Sequence, residues 1–380
     1  MSTTAIRVKF LSKACRERNR SAWLARFPGG QPQWDRCQFL FDPDCRDYDW
    51  LVVYDDLPSE PPRDQEVLAC PRAHTLLITT EPSAIKVYGR AYTQQFGWVV
   101  TSQEAWALAH PRAIRCQPGL IWYYGATGHC DAQISPRGSY DAVARHVPQN
   151  KTRIVATVCS TKQQWHTLHR ERVRFVRRLQ AVLPELDVFG RGWNYLPDKA
   201  DALDPYRFHL AIENHNCPHH WTEKLADAFL GACVPFYHGC PNYADYFPAE
   251  SVIPINIHDF AGSLETIQRA IRDREDEKRR TAVLESRRRY LERYWLFAQL
   301  ARLIQERHPV AGTEAAQPEV LWSRHRLRDR SPRVALQDGW QKLRVFVRHR
   351  LIRAWPPGIG QRGCSDGRRG AASTANRKPG

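Results

Sequence analysis

The feature that most constrains this chain is a recurring run of three to six apolar, largely β-branched residues closed off by Pro, Asp or Gly. Leu51, Val52, Val53 and Tyr54 make one such run, Thr75, Leu76, Leu77 and Ile78 another, and Trp98, Val99 and Val100 a third. Runs without polar alternation describe strands covered on both faces, as in a parallel sheet. Pro148, Gln149, Asn150 and Lys151 interrupt the pattern, which then restarts with strands at 153–159, 186–189, 208–212, 234–237 and 252–257. Helical segments fall between or after them, at about 165–183, from Thr222, at 264–272 and at 278–307. The last carries Val283, Tyr290, Trp295, Leu296, Leu300 and Leu303 at near-helical spacing. Strands separated by helices imply right-handed crossovers. The pattern predicts an α/β chain with two Rossmann-like domains, 1–148 and 149–308, facing a cleft, and a basic C-terminal tail over 309–380. No apolar run reaches the roughly 18 residues a membrane-spanning helix needs.

Charge separates the tail from the rest. The 380 residues carry a formal +16, from 56 basic and 40 acidic side chains. Residues 321–380 hold fifteen Lys/Arg and three Asp/Glu, a net of +12, which leaves 16 − 12 = +4 for the first 320. A nearly balanced body argues against a nucleic-acid-binding domain, and no nucleic-acid partner is expected. Drawn as a helix, 340–355 places Trp340, Leu343, Val347, Leu351 and Trp355 on one face, with most of its bases opposite. Such a helix would lie on an anionic membrane surface. The last 24 residues, rich in Gly, Ser, Arg and Pro, read as disordered. The N-terminus has no signal-peptide core, and eleven Cys without a framework spacing predict free thiols. The expected location is cytoplasmic, peripheral on the inner face of the membrane.

The segment richest in chemistry runs from Tyr206 through Glu213 and Asn214 to Thr222, Glu223 and Lys224. An apolar strand ends in two polar residues, a loop follows, and Thr222 can cap a helix whose apolar face is Leu225, Ala228, Phe229 and Ala232. Lys224 in the first helical turn opposes the helix dipole, a conflict that a bound diphosphate resolves.

This segment resembles the donor-binding signature of glycosyltransferase family 10, the α-1,3/1,4-fucosyltransferases. Tyr206, Arg207, Phe208, Glu213, Asn214, Thr222, Glu223, Lys224, Val234, Pro235 and Gly239 follow its pattern in order. Arg172, Val173, Arg174 and Phe175 resemble its upstream Arg-x-x-Phe, Phe189, Gly190 and Arg191 its strand-end glycine, and 246–260 its continuation. The resemblance covers about 152–260. It implies a two-domain GT-B fold that moves L-fucose from GDP-fucose to a glycan hydroxyl with inversion. The 1–148 domain would bind an oligosaccharide or lipopolysaccharide-type acceptor, and 149–308 the GDP-sugar. Lys224 and Arg172 would stabilise the departing diphosphate, a task that requires no cofactor, and Glu213, Asn214, Thr222 and Glu223 would complete the donor site.

Inverting transfer needs a base for the acceptor hydroxyl. The family places a Glu before Ser-Pro at the end of an N-terminal strand. Here Glu81 follows the 75–78 run, with Pro82 and Ser83 in inverted order, and Asp55 and Asp56 are its rivals. Two further positions depart from the family: His220 stands where a Tyr is common, and His215 follows the Glu-Asn pair. Cys217, His219 and His220, with Cys233, His238 and Cys240, match no zinc spacing, so no metal ligands are assigned. Asp42, Pro43 and Asp44 read as a turn rather than a metal-binding pair.

Overall fold

The computed structural model of the protein describes residues 5–15, 17–127, 133–161, 168–308 and 319–354. Eight strands lie in the first unit: β1 Ile6–Leu11, β2 Gln33–Trp34, β3 Cys37–Leu40, β4 Trp50–Tyr54, β5 Gln65–Val67, β6 Thr75–Ile78, β7 Trp98–Thr101 and β8 Ala113–Arg115. Seven form one sheet in the order β2-β3-β1-β4-β6-β7-β8, parallel except for the short β2–β3 pair. Val8 pairs with Phe39 on one side and Trp50 on the other, so β1 sits at the point where the order reverses. Val8, Trp50 to Val53 and Leu76 to Ile78 are all essentially inaccessible, which is why these strands lack polar alternation.

The second unit repeats the plan. Strands β9 Arg153–Val158, β10 Leu186–Phe189, β11 Tyr206–Ile212, β12 Val234–His238 and β13 Ile253–Pro254 make a wholly parallel sheet ordered β10-β9-β11-β12-β13. The strand expected at 252–257 is thus only two residues long. The first helix is described over His169–Val182, and the expected start near Trp165 lies outside the described residues. Chain order reverses between β9 and β11, and ligands of such sheets bind beyond the carboxyl ends at that point. Both sheets turn those ends toward one cleft.

Two expectations change at the C-terminal end. The helix read over 278–307 is interrupted. Arg280–Arg289 passes into a wide turn, Tyr290–Tyr294, and Trp295 is extended (φ −57°, ψ 139°) before Leu296–Gln305 begins. Trp295 packs 4.1 Å from Trp122, ring to ring, and this break redirects the chain. Phe297 then enters the first unit's core, stacked 4.1 Å from Phe27 and edge-on to Phe39 at 4.9 Å. The chain therefore returns to the first sheet before residue 308.

The tail begins attached rather than free. Strand β14, Val320–Trp322, pairs antiparallel with β5, and Leu321 is buried beneath it. Helices Arg324–Arg330 and Pro332–Ala354 follow. The long helix docks through Asp338, Gln341, Val345 and His349, spaced three and four apart. Arg328 donates to Asp338 at 2.7 Å, Gln341 donates to the Ala107 carbonyl at 3.1 Å, and His349 shares a 2.8 Å hydrogen bond with Ser83. Gly89, at φ +82°, leaves room for Asp338, where a Cβ would stand 2.3 Å from its carboxylate. Trp340, Leu343, Val347 and Leu351 face outward as expected. Leu336, Phe346 and Ile352 are exposed too, so apolar and basic faces are less segregated than the helical drawing implies. Trp355 and residues 357–380 lie outside the described residues.

Candidate active site

Strand β11 carries Glu213 and Asn214 to its carboxyl end, and the loop returns through a buried Trp221 to Thr222, which opens helix Glu223–Leu230. Thr222 caps the helix as its residue type predicts, its hydroxyl accepting from the Lys224 N–H at 3.3 Å. The same hydroxyl donates to Glu213 Oε2 at 2.7 Å, while the Thr222 N–H donates to Glu213 Oε1 at 2.8 Å. Glu213 is fully buried, and Gly239 permits this, since a Cβ there would sit 2.4 Å from Glu213 Cγ. Burial pushes the Glu213 carboxyl upward and Lys224 opposes it.

Lys224 folds across the helix start. Its ammonium donates to Thr222 Oγ1 at 3.1 Å and Glu223 Oε1 at 2.8 Å, and forms a longer ion pair with Glu213 Oε2 at 3.5 Å. Burial opposes the Lys224 charge, but Glu223 and Glu213 outweigh it and the pKa rises. Burial likewise opposes ionisation of Glu223, yet Lys224 and Lys199 hold it down at about 2.

Glu81 faces this group from the other sheet, in the turn after β6. Gln103, itself buried, donates to the carbonyls of Glu81 and Lys86 at 2.8 and 2.9 Å and so fixes the turn. The Glu81 side chain stands at the open mouth of the cleft. Protein crowding around it, then Asp55 and Glu223, push its pKa above the ordinary 4.5. Asp55, the rival, is fully engaged. Lys86, Tyr88 and Thr80 donate to Oδ1, Lys13 lies 3.1 Å from Oδ2, and these partners overcome burial to hold it at about 2. Asp56 accepts the N–H groups of Leu57 and Arg324 and anchors the returning tail. Neither rival lines the cavity that Glu81 lines.

A cavity of about 260 Å³ joins these parts. Glu81, Glu213, Asn214, Thr222, Glu223 and Lys224 all line it, together with Trp23, Tyr54, Tyr123 and His220. Asn214 Oδ1 is buried without a hydrogen-bond partner among the described residues. Arg172 stands outside the lining, buried next to Cys159 and close enough to bear electrostatically on Lys224. Sequence reasoning missed Tyr123 and Asp227. The Tyr123 and Tyr124 N–H groups donate to Asp227 Oδ1 at 3.0 and 3.1 Å, and Lys199 lies 2.6 Å from Oδ2, so Asp227 ties helix Glu223–Leu230 to the first unit. The only available signal was an Asp inside an apolar helix.

The six Cys and His residues near this segment do not converge. His219 meets Tyr246 Oη at 2.7 Å, His238 the Ile255 carbonyl at 3.2 Å and His220 Ser102 Oγ at 3.1 Å, while Cys233 Sγ donates to the Leu203 carbonyl. Burial holds His220 neutral, with a pKa of about 3. Asp42 accepts the Asp44 N–H at 2.9 Å, which makes 42–44 the expected turn. Among the described residues, every cysteine is a free thiol.

Two α/β sheets share a cleft, where the turn at Glu81 meets the strand end at Glu213 and the helix start at Thr222. Residues 148–280 match the model of glycosyltransferase family 10 (fucosyltransferase), C-terminal domain. An alpha-(1,3)-fucosyltransferase FucT of Helicobacter pylori is 36% identical over 76 residues, 20% of this chain and 15% of that one. A 4-galactosyl-N-acetylglucosaminide 3-alpha-L-fucosyltransferase 9 of Mus musculus is 32% identical over 108 residues, 27% and 29% of the two chains. The matched stretches thus span less than a third of these curated relatives. A crystal structure of an alpha1,3-fucosyltransferase with GDP-fucose aligns over 83% of this chain and 94% of that one, at 16% identity and a TM-score of 0.43.

Proposed function

We propose that the protein is an inverting fucosyltransferase that moves L-fucose from GDP-fucose to a hydroxyl of a glycan acceptor. The observation that carries this reading is that Glu81 from one sheet and Glu223 and Lys224 from the other line the same cavity. The acceptor oxygen forms its bond to the anomeric carbon as the bond to GDP breaks. Glu81 takes the hydroxyl proton, GDP leaves with the electron pair, and Lys224, backed by Arg172, meets the developing diphosphate charge. These fixed cations supply the stabilisation that a cofactor would otherwise provide. Asn214, Thr222 and Glu223 hold the donor, and Glu213 acts through Thr222. The first unit presents the acceptor, an oligosaccharide or a lipopolysaccharide-type glycan.

The test is GDP release from purified protein given GDP-sugars and glycan acceptors, with calorimetry for donor binding. GDP-fucose turnover is expected. Absence of both turnover and binding for every GDP-sugar would count decisively against the reading.

The outward side of helix Pro332–Ala354 supports a second element of the proposal, peripheral attachment to an anionic membrane facing the cytoplasm. Trp340, Leu343, Val347 and Leu351 are 45–64% exposed, and Lys342, Arg344, Arg348 and Arg350 lie among them. No described helix is long and apolar enough to cross a membrane. Cosedimentation with phosphatidylglycerol vesicles should fall when Trp340, Leu343 and Val347 are changed to Glu. Unchanged cosedimentation would refute attachment through this helix.

A further inference from the structure

The loop between Asn214 and Thr222 contains His215 and Cys217, to which the transfer chemistry gives no task. Both are buried, with 7% and 5% of their surface exposed. They face Glu104, which follows β7 in the first unit. One ligand-type atom from each of the three residues lies within 4.8 Å of the others. His215 Nε2 is 3.5 Å from Glu104 Oε1 and makes no hydrogen bond among the described residues. Cys217 Sγ has only a long 3.7 Å contact to the Ser102 carbonyl. The imidazole nitrogen has the Glu104 carboxylate as an ion-pair neighbour but no hydrogen bond, and with the thiol beside it three ligand-type atoms converge on one buried point. Nitrogen, sulfur and carboxylate oxygen are the donors that zinc-type ions take. At metal–ligand distances of about 2.0–2.3 Å, tetrahedral ligand atoms lie roughly 3.5 Å apart, which small side-chain rotations would reach here.

We infer that Glu104, His215 and Cys217 form a binding site for a divalent transition-metal ion of the zinc class, with water in the fourth position. Loading breaks the Cys217 S–H bond, forms the metal–thiolate bond and releases that proton to solvent. The ion would join the loop that connects Glu213 to Thr222 with the segment after β7. Ser83, two residues from Glu81, donates to Glu104 Oε2 at 2.6 Å. Both walls of the cleft would thereby be braced from behind, and the ion would touch no reacting atom.

The test uses the full chain, stripped with a chelator and titrated with Co²⁺ and then Zn²⁺. The expected result is one Co²⁺ per chain with intense tetrahedral visible bands and a sulfur-to-cobalt charge-transfer band. Zn²⁺ should displace it, raise the Tm and protect Cys217 from alkylation. Cys217→Ser should lose the charge-transfer band, and His215→Gln should bind at least ~10-fold more weakly. His219→Gln, in the same loop but turned toward Tyr246, should bind like the unaltered chain. Circular dichroism establishes that each variant is folded. The inference is overturned if the unaltered chain binds no stoichiometric Co²⁺, shows no charge-transfer band, or leaves Cys217 unprotected. It is equally overturned if a folded Cys217→Ser variant binds Co²⁺ as tightly as the unaltered chain.

Discussion

Glu213 holds Thr222 at two points, accepting its N–H at 2.8 Å and its hydroxyl at 2.7 Å across a nine-residue separation. The strand end and helix start are thereby locked into one rigid corner, and the corner sets where Lys224 and the free helix N–H groups point. Glu213→Gln turns an acceptor pair into one acceptor and one donor group. It should cost about 1–3 kcal/mol of stability, because a buried donor is left facing the Thr222 hydroxyl or the Lys224 ammonium. GDP affinity should fall with it. Thermal unfolding with and without GDP checks both, and unchanged values would show that the corner is not rigid.

Lys224→Ala removes the cation that offsets Glu213 and Glu223. Glu213 would then lose its nearest cation and Glu223 would keep only Lys199, so the incoming diphosphate would face two carboxylates with less opposing charge. GDP affinity should fall by at least ~100-fold, as a charge-assisted contact is exchanged for repulsion. GDP should no longer raise the Tm of this variant, whereas a distant change such as Arg350→Ala should leave that stabilisation intact.

Glu81→Gln should reduce kcat by about 10²–10⁴ while GDP-fucose still binds. The base must be ionised to act, so activity in the unaltered protein falls as pH drops through the Glu81 pKa. That value is raised, and the acid limb of the rate profile should therefore lie above pH 4.5. The limb should vanish in Glu81→Gln. Natural activity in that variant would pass the role of base to another group.

Asp55 is depressed from 3.8 to about 2, chiefly by Lys86 acting against the opposing effect of burial. A folded pKa below the unfolded one stabilises the protein above pH 3.8, and this contribution is lost as pH falls toward 2. The shift corresponds to roughly 2 kcal/mol. Asp55→Asn should be less stable than the unaltered chain near pH 7, and the gap should narrow between about pH 4 and 2. Urea unfolding across that range measures it. A gap that stays constant would mean that the carboxylate is not held by its lysines.

Phe297 tests the return of the chain to the first unit. Its ring stacks on Phe27 and touches Phe10 and Phe39, so Phe297→Ala should cost about 3–5 kcal/mol. Hydrogen exchange should quicken in β1 and β3, not only in the second sheet. Exchange changes confined to 153–254 would contradict this packing.

Local physics is enough to read much of this molecule. The apolar runs at 51–54 and 75–78 became buried parallel strands because a strand covered on both faces has no polar positions to display. Thr222 capped its helix because a hydroxyl beside free N–H groups does so in almost any context. The residues from Glu213 to Lys224 were legible for the same reason, since one strand end and one helix start lie within twelve positions. Glu81 could be reached only as one of three carboxylates at strand ends. The partners that distinguish it, Lys86, Lys13 and Tyr88 on Asp55, depend on how two turns pack together. Trp295 and Phe297 kept a helical spacing that concealed a break, because periodicity records which residues are apolar and not which sheet they cover. The convergence of Glu104 with His215 and Cys217 leaves no trace in spacing, as more than a hundred residues separate them. Short-range hydrogen bonding and burial were therefore written in the chain itself. The engagement of Asp55 by Lys86, Lys13 and Tyr88, the recrossing at Trp295 and the meeting of the two units were decided by tertiary packing, where the interacting groups are distant in sequence and only the fold brings them together.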